Sequence, residues 1–186
     1  MKVYIKNMVS LRCKMIVKEE FERLGLRYAV IDLGMVETPE DLTLDHRSKL
    51  KENLLQSGLE LMDDKKSEVI EQIKNVVVSM IHYSDEVPKV NYSDYISEKL
   101  SYNYNYLSNL FSEAKGITIQ QFIIIHKIER VKELLLYDEL NLTEISYKMH
   151  YSSVAHLSNQ FKKVTGYSPS IFKQFQHKRL TTLENV

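Results

Sequence analysis

The apolar and polar positions of the first sixty residues change period several times. Residues 2–9 alternate apolar and polar side chains, which predicts a β-strand. Apolar residues at a rough helical spacing follow over 10–24, and 27–33 form a second strand-like run. A helix over about 44–57 and a short strand at 59–61 complete a β-α-β…α-β order, which is typical of a small α+β sandwich.

Residues 65–83 form the strongest amphipathic helix of the first half. Its continuous apolar stripe consists of Val69, Ile70, Ile73, Val76, Val77, Met80 and Ile81. The stripe is explained either by packing within the chain, which we favour, or by a dimer seam. The charged segment 85–89 contains Pro88 and is the predicted linker.

The second half has an almost entirely helical pattern built on a repeat. The sequence YLSNLFSEAKGITIQQF at 106–122 recurs fifty positions later as HLSNQFKKVTGYSPSIF at 156–172. The predicted helices cover 94–100, 104–115, 119–137, 143–149, 153–164 and 168–176. A short helix, a tight turn and a second helix therefore occur twice, which predicts two helix-turn-helix units joined by one long helix.

In each repeated helix the apolar residues fall three and four positions apart, which leaves a polar face on the other side. Asn can pair bidentately with adenine, Ser can bond to base edges, and Lys can meet phosphate or guanine. A helix of this width fits the major groove of DNA, and a rigid connector would place two of them roughly 34 Å apart on one duplex face. The candidate DNA-binding residues are Tyr104, Asn105, Tyr106, Ser108, Asn109, Ser152, Ser153, Ala155, His156, Ser158, Asn159, Lys162 and Lys163.

A polar face alone is common to all surface helices, so one copy would not indicate DNA. The recurrence of Leu-Ser-Asn at the same place in both units favours a DNA-reading device. The pairs 162–163 and 178–179 are basic and fit contacts with the DNA backbone.

Composition narrows the class of protein. The formal net charge is zero, but residues 1–87 carry −3 (13 Lys/Arg against 16 Asp/Glu) and residues 88–186 carry +3 (12 against 9). Cys13 is the single cysteine, so no internal disulfide forms, and no signal peptide or membrane-length apolar run is present, which predicts a cytoplasmic protein. The six His are scattered, with no pair at metal-ligand spacing. There are five Gly and no glycine-rich phosphate loop, so an enzyme is not expected.

Residues 92–176 resemble the DNA-binding domain of AraC/XylS-type transcription regulators. The motif residues are 96–100 and 106–111 in the first unit. In the second unit they are 145–151, Ser153 and 157–163, with the Gly166 and Ser168-Pro169-Ser170 tail. The resemblance implies transcriptional control, usually activation through contact with RNA polymerase, with both second helices in the major groove. Two departures stand out: His150 occupies a turn position where the family commonly has Gly, and Asn109 and Asn159 stand where it often has Arg.

The segment 7–13 resembles the metal loop of heavy-metal-associated domains, and residues 1–62 loosely follow their ferredoxin-like order. That loop needs two thiolates three residues apart to hold a soft monovalent ion such as copper. Here Ser10 stands at the first position, so Cys13 would need another donor, for example from a second subunit. A serine introduced to prevent oxidation of a metal-ligand cysteine would leave the same sequence. The alternative is a scaffold that serves dimerisation or ligand binding without metal.

We therefore expect an α+β ferredoxin-like N-terminal domain over 1–64, an amphipathic helix and linker over 65–90, and an all-α DNA-binding domain over 91–186. The expected partner is double-stranded DNA, with RNA polymerase and a second copy of the chain as protein partners. An unidentified small molecule or metal is the expected effector, and neither a cofactor nor a membrane is expected. The alternatives are a copper-type metal-sensing regulator that uses Cys13 and a protein-interaction adaptor.

Overall fold

The computed structural model describes residues 1–83, 91–137 and 139–175. The predicted linker 85–89 and the basic pair 178–179 lie outside the described residues. The described chain divides into two compact units. Residues 1–76 and 91–119 form the first, and 77–83, 120–137 and 139–175 belong to the second. The expected division at 64 and 90 differs from this grouping, which places the first helix-turn-helix together with the N-terminal sheet.

The N-terminal part has the element order βαββαβ. Its elements are β1 (Lys2–Lys6), α1 (Leu11–Arg23), β2 (Val30–Asp32), β3 (Met35–Glu37), α2 (Leu44–Gln56) and β4 (Glu60–Leu61). The sheet order is β2-β3-β1-β4, and every neighbouring pair is antiparallel. The single strand predicted over 27–33 missed β3, because the chain reverses at Gly34 (φ +75°) into a hairpin that pairs Asp32 with Met35.

The core of this part lies between one face of the sheet and helices α1 and α2. Its fully buried members share an apolar side chain and are Val3, Ile5, Val17, Phe21, Val36, Leu50 and Leu54. Burial of each such side chain contributes about 1.5–3 kcal/mol. Tyr4 lies between Val3 and Ile5 on β1 and therefore points to the opposite face, where its hydroxyl donates to Glu71.

Helix α3 (Asp64–Val78) continues into a π-helical turn, Ser79–Tyr83. Five of the seven stripe residues, Val69, Ile70, Ile73, Val77 and Met80, are buried within the chain. The packing interpretation of the stripe is therefore confirmed. These five side chains are not exposed for a dimer seam.

The remaining helices are α4 (Tyr92–Leu100), α5 (Tyr104–Lys115), α6 (Ile119–Tyr137), α7 (Leu142–Lys148), α8 (Val154–Thr165) and α9, described over 169–175. In the second unit α6, α7 and α8 enclose a core of Ile128, Val131, Leu134, Ile145, Met149, Leu157 and Phe161. Within the described ranges, none of the helices combines the length and the apolar character that a membrane span requires.

Candidate nucleic-acid interface

The second helix of each helix-turn-helix begins and ends with the same devices. The side chain of Asn103 caps α5 by accepting from the amide of Asn105 (2.9 Å), and Ser153 caps α8 by accepting from the amide of His156 (3.1 Å). Both helices end at a glycine in the left-handed region, Gly116 (φ +68°) and Gly166 (φ +82°). Each copy of the repeat thus specifies a helix of twelve residues.

Nine of the twelve equivalent pairs of residues in the two helices have the same degree of burial, each in its own unit; the pairs that differ are Leu110 and Gln160, Ser112 and Lys162, and Ala114 and Val164. Leu107 and Phe111 are completely buried, and so are Leu157 and Phe161. Ser108 and Ser158 are both half-buried, whereas Asn109 and Asn159 are both exposed. The repeated Ser-Asn pair therefore has the same accessible position in both copies.

Ten of the thirteen candidate DNA-binding residues are exposed: Asn105, Tyr106, Asn109, Ser152, Ser153, Ala155, His156, Asn159, Lys162 and Lys163. Tyr104, Ser108 and Ser158 are half-buried, and burial raises the pKa of Tyr104. Ser153 also serves as the cap of α8, and the hydroxyl of Ser152 lies 3.0 Å from Nδ1 of His156. On the first unit, the ring of Tyr106 lies 5.6 Å from that of Tyr102.

The turns before α5 and α8 both place a residue other than glycine in the left-handed region. Ser101 has φ +57° and His150 has φ +52°. A glycine adopts this conformation without the steric penalty of a Cβ. His150 therefore occupies a position that favours glycine, and burial, followed by the nearby Lys127 charge, lowers the pKa of its imidazole.

The turn before α8 is supported by a buried network that sequence reasoning missed. The Lys127 ammonium lies 4.1 Å from the centre of the Tyr151 ring, and the Tyr151 hydroxyl donates to Oε1 of Gln160 on α8 (2.7 Å). Lys127 is only 8% exposed, and burial lowers its pKa to about 8. Lys127 is one of several charged residues of α6, and the sequence does not distinguish it from those that face solvent.

Helix α5 has a different support, the N-terminal sheet. Glu113 forms an ion pair with Lys6 of β1 (2.7 Å), and the Lys115 ammonium lies 5.8 Å from the centre of the Tyr4 ring. Gly34 is buried, and a Cβ there would lie well inside 3.0 Å of the Ala114 carbonyl oxygen. These residues are about eighty or more positions apart along the chain, so local periodicity does not reveal their contact.

The structure gives Ser10 a role that does not involve metal. Ser10 caps α1, with its hydroxyl accepting from the amide of Cys13 (3.4 Å). The Cys13 sulfur lies 3.3 Å from the Ser10 hydroxyl and 3.8 Å from the Asn7 carbonyl oxygen, and the hydrogen bond with Ser10 lowers the pKa of the thiol. Over 1–83, 91–137 and 139–175 no three side chains of His, Cys, Asp or Glu are grouped so as to hold a metal ion.

Comparison with known proteins finds similarity in the C-terminal part. Residues 96–174 match the family model described as a helix-turn-helix domain. An uncharacterized HTH-type transcriptional regulator of Bacillus subtilis, YtdP, is 27% identical over 106 residues, which are 55% of this chain and 14% of that protein. The Msm operon regulatory protein of Streptococcus mutans is 29% identical over 100 residues, 50% of this chain and 36% of its own length. The chain thus corresponds to a minor part of the length of these relatives.

A solved structure shares the fold. The AraC-type DNA-binding domain-containing transcriptional regulator of Chromobacterium violaceum superimposes with a TM-score of 0.51 over 60% of this chain and 95% of that chain, at 14% identity. This likeness concerns the arrangement of the helices. Residues 96–174 therefore form a helix-turn-helix domain, similar in sequence to a segment of HTH-type transcriptional regulators and in fold to the Chromobacterium violaceum structure.

Proposed function

We propose that the chain is a sequence-specific transcription regulator in which α5 and α8 each lie in a major groove of double-stranded DNA. The observation that carries this proposal is the matched burial of the repeat, with Ser108 and Ser158 half-buried and Asn109 and Asn159 exposed. A surface helix under no common constraint has no reason to keep the same polar residues at the same exposed positions. A helix that enters a groove does have one, because the groove presents the same kinds of donors and acceptors to each copy.

The exposed side chains have distinct roles in this proposal. Asn109 and Asn159 pair with adenine edges, because the amide group matches the N6 donor and N7 acceptor of adenine. Lys162 and Lys163 meet phosphates, which fixes the register of α8 on the duplex. The half-buried Ser108 and Ser158 lie at the flank of each face, where a hydroxyl can bond to a base edge or a backbone oxygen.

We further propose a ferredoxin-like fold for the N-terminal part. Its βαββαβ order and antiparallel β2-β3-β1-β4 sheet support this assignment. The proposed role of this part is regulation or dimerisation. We propose that the whole chain activates transcription through contact with RNA polymerase, and that its effector is a small molecule or a metal. The cytoplasm is the proposed location.

The test is a gel-shift titration of the full chain against a promoter fragment and against random DNA of equal length. Asn109→Ala and Asn159→Ala should each weaken promoter binding by about 5- to 150-fold, the equivalent of about 1–3 kcal/mol, with little effect on random DNA. Asn75→Ala is the matched control, because Asn75 is an exposed helical Asn outside α5 and α8. Equal losses on both DNAs would mean that the two Asn contact phosphates only. Absence of any DNA shift would favour the protein-interaction adaptor instead.

A further inference from the structure

The exposed faces of α5 and α8 are equivalent in position but not in charge. A shift of fifty residues relates the exposed Asn109 to Asn159, the half-buried Ser112 to the exposed Lys162, and the exposed Glu113 to Lys163. The first nine residues of α5, Tyr104 to Ser112, contain no charged side chain. The corresponding face of α8 ends in two exposed lysines.

Both charged side chains of α5 lie in its last turn and engage the sheet. Lys6 forms an ion pair with Glu113 at 2.7 Å, so the negative charge of Glu113 is compensated from β1. Lys115 lies over the Tyr4 ring, and burial lowers its pKa. Neither residue supplies α5 with a cation that faces away from the sheet.

Helices α4 and α7, which precede α5 and α8, also contribute to the difference in net charge between the two pairs. Helix α4 contains Asp94, Glu98 and Lys99, which gives it a net charge of −1. In the second unit α7 contains Glu144 and Lys148, and α8 adds Lys162 and Lys163, which gives the two helices a net charge of +2. A DNA duplex therefore meets a net attraction at α7–α8 and none at α4–α5.

We propose that α8, besides the base contact of Asn159, anchors the protein to phosphates, whereas α5 has base contacts alone and takes an A·T-rich half-site. This inference rests on the proposed function and names the DNA sequence class that the first helix takes. The exposed side chains of α5 fit A·T pairs, because Asn105 and Asn109 match adenine and the exposed ring of Tyr106 offers apolar contact to the thymine methyl group. The commonest specific contact to guanine needs Arg or Lys, and α5 contains no Arg and has its one Lys over Tyr4.

The first arm of the test measures salt dependence with a matched pair of substitutions. The logarithm of the binding constant falls linearly with the logarithm of the salt concentration, and each phosphate that a lysine neutralises adds about 0.9 to the size of this slope. Lys162→Ser should make the slope shallower by about this amount and weaken binding to specific and random DNA alike. Ser112→Lys, at the equivalent position of α5, should make the slope steeper. An unchanged slope for Lys162→Ser would overturn the anchoring role of α8.

The second arm selects binding sites from randomised duplexes with the full chain and with Asn109→Ala. The expected sites contain an A·T-rich half for α5, and Asn109→Ala should relax the preference in that half and leave the adenine contacted by Asn159 in the other half. Selection of G·C pairs at the positions relaxed by Asn109→Ala would overturn the inference while leaving the proposed function intact. Failure of the full chain to select any DNA would instead remove the proposed function. Circular dichroism of each variant confirms that the helices are formed, so that loss of binding is not loss of fold.

Discussion

The approach of α5 to the β2–β3 turn makes Gly34 the most informative position for a stability measurement. Gly34 is buried at φ +75°, and a Cβ there would fall far inside the 3.0 Å limit that Cβ contacts essentially never cross, against the backbone oxygen of Ala114. Gly34→Ala therefore combines two penalties. The left-handed conformation costs about 1–2 kcal/mol for a residue with a Cβ, and the overpacking against α5 costs about 1–3 kcal/mol more. We expect a total loss of about 2–5 kcal/mol in the free energy of unfolding.

Urea unfolding followed by far-ultraviolet circular dichroism measures this loss. The comparison requires that the free energy of unfolding depend equally steeply on urea concentration in the original chain and in Gly34→Ala. Gly58→Ala is the matched control, because Gly58 has φ +73° and its added Cβ would meet no atom within 4 Å. The control should lose only the conformational part, about 1–2 kcal/mol. If Gly34→Ala cost no more than Gly58→Ala, the close contact between the turn and α5 would be refuted. Because the clash displaces the last turn of α5, promoter affinity should also fall for Gly34→Ala and not for Gly58→Ala.

Two further predictions concern the second unit. His150→Gly should raise the free energy of unfolding by about 1 kcal/mol, because the left-handed turn no longer carries a Cβ; an unchanged midpoint of thermal unfolding would contradict this reasoning. Burial lowers the pKa of Lys127 from an ordinary 10.5 to about 8. Between these two pH values the unfolded chain therefore binds a proton that the folded chain does not. Stability should therefore rise with pH across this window by at most about 3 kcal/mol, and Lys127→Met should lose that share of the pH dependence in urea titrations at about pH 7.5 and about pH 10. Parallel pH profiles for the two proteins would show that Lys127 is not buried.

Local pattern was sufficient for the helices that form the candidate site. The helix predicted over 104–115 is α5 (Tyr104–Lys115), and the one predicted over 119–137 is α6 (Ile119–Tyr137). The prediction of α5 succeeded because a stripe of apolar residues, a polar cap and a terminal glycine all lie within a few residues of one another, whereas α6 was predicted from its apolar residues alone. The same local information placed Asn109 and Asn159 on an exposed face.

Features that depend on distant contacts were not accessible in this way. The three-residue strand β3 (Met35–Glu37) is too short for a period to appear, and it forms because β1 pairs with it across more than thirty residues. The grouping of α5 with the sheet depends on the Lys6–Glu113 ion pair and on the missing side chain of Gly34. Ser10 shows a different limit, since the resemblance of its segment to a metal loop does not reveal its role as a helix cap.

The difference in charge between α5 and α8 has a physical cause in the packing of α5 on the sheet. Two inward positions stay alike, because Leu107 and Phe111 fill the same kind of apolar site in the first unit as Leu157 and Phe161 do in the second. Position 113 differs because the Lys6 ammonium lies beside it, so a lysine there would face a like charge at close range, whereas no ion pair holds the exposed Lys163 among the described residues. The sheet thus fixes the sign of the charge at the end of α5. In the proposed complex, α5 therefore reads DNA with uncharged amides and aromatic rings, because its one cation, Lys115, lies over the Tyr4 ring.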